Sequence, residues 1–180
     1  RNRNPTRSLP STVMTKIRLS LAFFILSASG LVSQGATIEY YTIDPAQSVI
    51  TFKVRHFFGK ATGRFEDFSG KLILHRDAMD RSRATARIEA ASIDTGNEER
   101  DEHLRSSDYF DTGQYPDITF ASTSWTPREG TDGVWTVKGK LTLHGKELPV
   151  TFRAELLREG EGREGAYRVA FEGTGELDRA

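Results

Sequence analysis

From residue 37 onward, apolar residues recur at every second position. Ile50, Phe52, Val54 and His56 alternate with Val49, Thr51, Lys53 and Arg55. The same beat runs through Phe68, Gly70, Leu72 and Leu74, then Ala84, Ala86, Ile88 and Ala90, then Ile118, Phe120 and Ser122. It returns in Trp135, Val137, Gly139, Leu141 and Leu143, in Leu148, Val150, Phe152, Ala154 and Leu156, and in Tyr167, Val169, Phe171, Gly173, Gly175 and Leu177. A period of two puts successive side chains on opposite faces of a strand, so each run offers one face to a core and one to water. One-sided strands of this kind belong to antiparallel sheets. Turn signals such as Gly130-Thr131-Asp132-Gly133 and His144-Gly145-Lys146 separate the runs at hairpin distances. A meander of this length closes into a barrel or folds into a sandwich.

One interruption stands out. Between Ala90 and Asp111 the alternation gives way to A-A-S-I-D-T-G-N-E-E-R-D-E-H-L-R-S-S-D-Y-F-D. Thr95 with Glu98 fits a capping box, and Asn97 is an alternative cap. Glu98, Glu99 and Asp101 suit the positive end of a helix dipole, and Arg105 the negative end. These signals predict a single short helix over Asn97–Arg105, placed as a plug or lid over one end of the sheet structure.

The N-terminal segment has a different composition. Five of the 25 cations (Arg1, Arg3, Arg7, Lys16 and Arg18) precede residue 37, and none of the 25 acids does. Residues 37–180 therefore carry 20 cations against 25 acids, a net charge of −5, which argues against a nucleic-acid partner. Met14, the basic pair Lys16 and Arg18, the apolar run Leu19–Leu26 and the small residues Ser33, Gly35 and Ala36 have the order of an export leader. The expected organisation is an upstream tail over 1–13, a signal peptide over 14–36, and one β domain over 37–180. There is no cysteine, so an exported domain of this sequence must close a hydrophobic core without disulfides.

The inward faces mix two kinds of residue. Gly70, Ala84, Ala86, Ala90, Gly139, Ala154, Gly173 and Gly175 share them with Phe52, Phe120, Trp135, Phe152, Tyr167 and Phe171. Small residues opposite large ones either leave an apolar-walled space or interdigitate into a filled core. Small barrels do both, and the pattern leaves the two alternatives open.

Several segments, in order, resemble the YceI-like family. They are Y-T-I-D-P at Tyr41–Pro45, F-K-V-R-H at Phe52–His56, G-R-F-E-D-F-S-G at Gly63–Gly70, the Ala90–Asp111 passage with Tyr115–Phe120 after it, and V-K-G-K-L-T-L-H-G at Val137–Gly145. The resemblance implies an extended antiparallel, lipocalin-like β-barrel enclosing a long apolar ligand such as a polyisoprenoid, an isoprenoid quinone or a fatty amide. It also implies an exported protein, periplasmic or secreted, without a cofactor. The family pattern continues past the equivalent of Leu177-Asp178-Arg179 with a further strand, so the expected barrel lacks its last stave or staves and leaves a strand edge open.

Catalytic signatures are absent from the sequence: no G-x-S-x-G, Walker loop or H-E-x-x-H occurs. Glu99 and His103 are spaced to share a helix face, but such charged runs are usually solvated and a third metal ligand has no evident source. The leading expectation is therefore an exported, non-enzymatic carrier of a long-chain isoprenoid or other amphiphilic lipid, compatible with transient membrane contact and with a homodimer. Its expected ligand-binding residues are Phe52, Val54, His56, Ala86, Ile88, Phe120, Trp135, Leu141, Phe152, Val169 and Phe171. Arg55 and Tyr109 are further candidates for the mouth. The alternatives are a small metal-assisted enzyme built on His103 and nearby carboxylates, and a ligand-free envelope stress or structural protein.

Overall fold

The computed structural model describes residues 15–28, 38–56, 59–162 and 165–179, excluding the side chains of 15–28, 54–61, 178 and 179. It contains strands β1 (Thr15–Ala28), β2 (Ile38–Ile43), β3 (Ile50–His56), β4 (Gly59–Phe65), β5 (Phe68–His75), β6 (Arg83–Glu89) and β7 (Ile93–Asp94). Helix α1 (Glu98–Arg105) follows, and then β8 (Asp117–Pro127), β9 (Val134–Leu143), β10 (Lys146–Glu161) and β11 (Tyr167–Arg179).

Seven strands form a curled antiparallel sheet in the order β2-β5-β6-β8-β9-β10-β11. The first period-two run, Ile50–His56, is β3, and the runs from Phe68 onward are six of these strands. Their apolar faces turn inward together, burying Leu72, Leu74, Ile88, Ile118, Val137, Leu141, Val150, Phe152, Val169 and Phe171. The segment with the composition of a leader also pairs with the sheet. β1 lies along β11 from Thr15↔Arg179 to Ser27↔Arg168, and its other edge meets β3 at Ile17–Ser20 and β2 at Leu26–Ala28. The edge of β11 that the sequence leaves open is thus covered, and β1 completes a ring of eight strands. The hairpin β3–β4, with β7 paired to β4, extends from that ring.

Two β-bulges change which residues face inward. In β8 the register shifts between Ser122 and Ser124, so the inward series Ile118, Phe120, Ser122 continues at Trp125. In β10 it shifts between Leu156 and Arg158, and Glu159 comes to sit opposite the buried Val169. Tyr167, placed inward by alternation, is 39% exposed because it stands at the start of β11 beyond the packed interior.

Helix α1 begins one residue later than its predicted first residue. Asn97 is the cap, its side chain accepting from the Arg100 amide at 2.9 Å. Thr95 does not form the expected capping box. Its amide and hydroxyl both donate to Asp101, which is 3% exposed. Arg105 donates to the Ala91 and Ile93 carbonyls, so α1 is fastened to the segment before it at both ends. The helix sits at the end of the barrel where β6 finishes and β8 begins, beside Phe65 and Phe110 (ring centroids 6.0 Å apart).

Candidate functional site

Inside the ring lies a cavity of about 100 Å³ whose walls are almost entirely apolar. A single water needs only about 10–15 Å³ of such space together with polar partners, so this void is larger than a water site and too apolar to hold water well. Ile43 and Leu72 close one side, Val137 and Ala154 another, and Ala84 and Ala86 present only methyl groups. Two edge-to-face aromatic pairs bound it: Phe120–Phe152 with centroids 5.2 Å apart and Trp125–Phe171 at 6.1 Å. Gly173 completes the lining, and Lys71, Thr85 and Glu172 also touch the cavity.

The small inward residues fall into two groups. A Cβ on Gly139 would lie 2.4 Å from the Phe120 ring and one on Gly175 2.6 Å from the Phe152 ring; on the β3–β4 hairpin, outside the ring, one on Gly63 would lie 2.5 Å from the Phe52 ring. A Cβ on Gly70 would meet Ile43 at 2.4 Å. At these four positions the missing side chain is replaced by a neighbour, which is interdigitation. Ala84, Ala86 and Ala154 instead border the open space. The two alternatives left by the sequence are both realised, in different parts of one barrel.

Of the residues expected at the site, Ala86, Phe120, Phe152 and Phe171 line the cavity. Trp135 is not among the lining residues; its ring is tilted against Phe171 (centroids 5.9 Å apart) and Trp125 (6.3 Å). Ile88, Leu141 and Val169 belong to the packed core and are not among the lining residues. Phe52 lies apart, on the β3–β4 hairpin with its ring 5.4 Å from Phe65, and borders a separate surface groove. The backbones of Val54, Arg55 and His56 pair with Ala61, Lys60 and Gly59, and their side chains are outside the described residues. Tyr109 packs edge-on against His103 at 4.9 Å, at the helix end of the barrel. Sequence reasoning missed Trp125, the largest wall residue, because the β8 bulge reverses its parity; Thr123 between two serines was the only trace.

At the end opposite α1, a cluster of polar side chains lies beside the buried Leu74 and Val169. Tyr41 donates to Glu39 at 2.6 Å, and Arg76 reaches Glu39 at 2.9 Å and Glu159 at 2.7 Å. Burial, reinforced by the hydrogen bond to Glu39, raises the Tyr41 hydroxyl well above its ordinary pKa. Burial works against the Arg76 charge, but hydrogen bonds to Glu159 and Glu39 outweigh it and push its pKa further up. Among the described residues no group of three or more His, Asp or Glu is arranged to hold a metal ion.

This geometry has relatives. Residues 41–180 match the YceI-like domain, and a UPF0312 protein of Photorhabdus laumondii is 35% identical over 164 residues, 91% of this chain and 82% of the relative. The chain belongs to the YceI-like family. A UPF0312 protein of Pseudomonas fluorescens is 33% identical over 169 residues, covering 91% of this chain and 85% of its own length. Among solved structures, the YceI protein of Campylobacter jejuni matches with a TM-score of 0.56 at 26% identity, over 65% of this chain and 68% of that one. Burkholderia cenocepacia BcnA matches with a TM-score of 0.55 at 19% identity, over 91% and 96% of the two chains, a likeness of fold.

Proposed function

We propose that this YceI-like protein is a non-enzymatic carrier that takes up a long apolar chain into its barrel, and that it works outside the cytoplasm. The observation that carries the reading is the cavity walled by Ala84, Ala86, Ala154 and the two aromatic pairs: a fold that interdigitates at four glycines leaves this space unfilled. Void next to apolar atoms forfeits dispersion contacts, and a hydrocarbon chain restores them. Each methylene moved from water into such walls contributes about 0.8 kcal/mol, so a polyisoprenoid, an isoprenoid quinone or a fatty amide gains affinity through length with few polar contacts. The leader-like composition of residues 14–36 supports export; β1 lies within this segment, so the eight-strand ring is that of the full chain, and removing the segment would uncover the edge of β11. The test is native mass spectrometry of the protein purified without detergent, with lipid extraction of the same sample. A stoichiometric long-chain lipid is the expected result. An empty protein that fails to take up such lipids from vesicles would contradict the reading. Fractionation of a Gram-negative host expressing the chain tests export, and exclusive recovery in the cytoplasm would contradict it.

A further inference from the structure

The eight-strand ring has two ends with different closures. At the α1 end the closure is apolar and packed, with Phe65, Phe68, Ile88, Ile93 and Ile118 all buried. At the other end, Arg76 follows the last residue of β5, and Glu159 projects from β10. Around the ring, β5 and β10 are four strands apart in either direction, through β6, β8 and β9 or through β2, β1 and β11. The 2.7 Å pair between Arg76 and Glu159 therefore spans the mouth from wall to opposite wall. Its second arm, to Glu39 on the neighbouring β2, holds the guanidinium in place. The β10 bulge is what makes the span: unbroken alternation from Val150, Phe152 and Ala154 would turn Glu159 outward, and the register shift sets it opposite inward-facing Val169.

We propose that the Arg76–Glu159 pair is a latch across the entrance of the cavity, and that ligand enters and leaves at this end. The inference rests on the carrier reading for its ligand, but the latch itself is a property of the fold. The mouth is the end that can open. Its ion pairs are partly solvated, with side chains 26% and 37% exposed, and pairs of this kind contribute little net stability, whereas the α1 end must break packed apolar contacts. An aromatic shelf of Trp125, Trp135 and Phe171 lies at the same end, where β8 finishes and β9 and β11 begin. It offers an entering chain an apolar path to the alanine walls.

The chain has only two tryptophans, and both stand at this mouth, so their fluorescence reports on the latch with or without ligand. Acrylamide quenching and stopped-flow uptake of the neutral probe Nile red are measured in the full chain, in Arg76→Ala and in Glu159→Gln. Glu159→Gln keeps the Arg76–Glu39–Tyr41 arm and cuts only the span, which guards against loss of fold in Arg76→Ala. Only the Arg76–Glu159 pair spans the mouth, and losing one partly exposed pair raises the open population by up to about fivefold. Both variants should quench more readily and take up and release Nile red up to about fivefold faster, with equilibrium affinity nearly unchanged. Raising salt from about 0.01 M to about 1 M, which shortens the screening length from about 30 Å to about 3 Å, should speed uptake in the full chain and not in Glu159→Gln. If Nile red binds but its rates and the quenching are the same in all three proteins, the latch is overturned and the carrier reading stands. If quenching rises in the variants while none binds Nile red, the latch is upheld and the carrier reading fails. If Arg76→Ala changes the rates and Glu159→Gln does not, Arg76 only staples β2 to β5 and the span has no gating role.

Discussion

At Gly139 on β9 the wall is bare so that the Phe120 ring can lie against it; at Ala86 on β6, two strands away, the wall carries a methyl and the space before it stays open. Both are small residues on the inward face of the same barrel. What separates them is the residue aimed at them. Phe120, Phe152 and Phe52 are each opposite a glycine, and their rings use the room a side chain would have taken. Among the described residues, no large side chain is aimed at Ala84, Ala86 or Ala154 deeply enough to fill the volume before them, and the aromatic pairs stand at its borders. Small residues in a barrel are therefore not themselves a sign of a cavity. The neighbour on the adjacent strand decides.

The largest effect should come from disturbing the filled part. Gly139→Val places its Cβ against the Phe120 ring and 2.6 Å from the Ala121 carbonyl, which is backbone and cannot turn away. Urea denaturation should show a loss of about 3 kcal/mol, at the upper end for overpacking. A loss below about 1 kcal/mol would mean that this part is as loosely filled as the alanine walls. Next comes the helix end, whose closure is independent of both. Asp101→Ala leaves the half-buried Thr95 amide and hydroxyl without their acceptor and should cost about 1–2 kcal/mol, read from the same urea midpoints. An unchanged midpoint would show that α1 does not hold that end. Smaller still is the effect at the mouth. A hydroxyl whose pKa is raised by folding stays protonated after the unfolded chain has ionised, so Tyr41 gives its full contribution below about pH 10 and loses it as pH rises beyond. Tyr41→Phe should flatten the fall in Tm above about pH 10 and leave the Tm near neutrality little changed. Parallel Tm profiles for the two proteins would rule out this alkaline contribution.

How much of this was legible depended on whether a feature was local. The alternation located seven long strands, and the charge order of Asn97–Arg105 located the helix, because both are periodicities or caps that neighbouring residues impose. The resemblance supplied the barrel but left its edge open, and the closing strand β1 lies in the segment read as a leader. Bulges broke the reading where they broke the period: one extra residue in β8 brought Trp125 inward, and one in β10 brought Glu159 inward. The destinations of small residues were illegible in principle, since Gly139 and Ala86 differ through partners on other strands. Ile88, Leu141 and Val169 have the right parity for the interior but are enclosed by packing rather than facing the open volume. Thr95 was read as a cap because its spacing to Glu98 fits one, yet its hydroxyl turns to Asp101, six residues on. The mouth latch joins residues 76 and 159 across the barrel, a distance in sequence that no local pattern spans.

The central claim is that the space before Ala86 is ligand space and not unfinished packing. Ala86→Phe tests it most directly, read by thermal melting together with uptake of a long-chain isoprenoid from vesicles. A ring entering a void should cost less than about 1 kcal/mol, in contrast to the strained insertion at Gly139, while leaving no room for a chain. The account predicts a Tm close to that of the unaltered protein and uptake abolished. A variant that melts several degrees lower and still takes up lipid normally would contradict both the open volume assigned to Ala86 and its place in the path of the ligand.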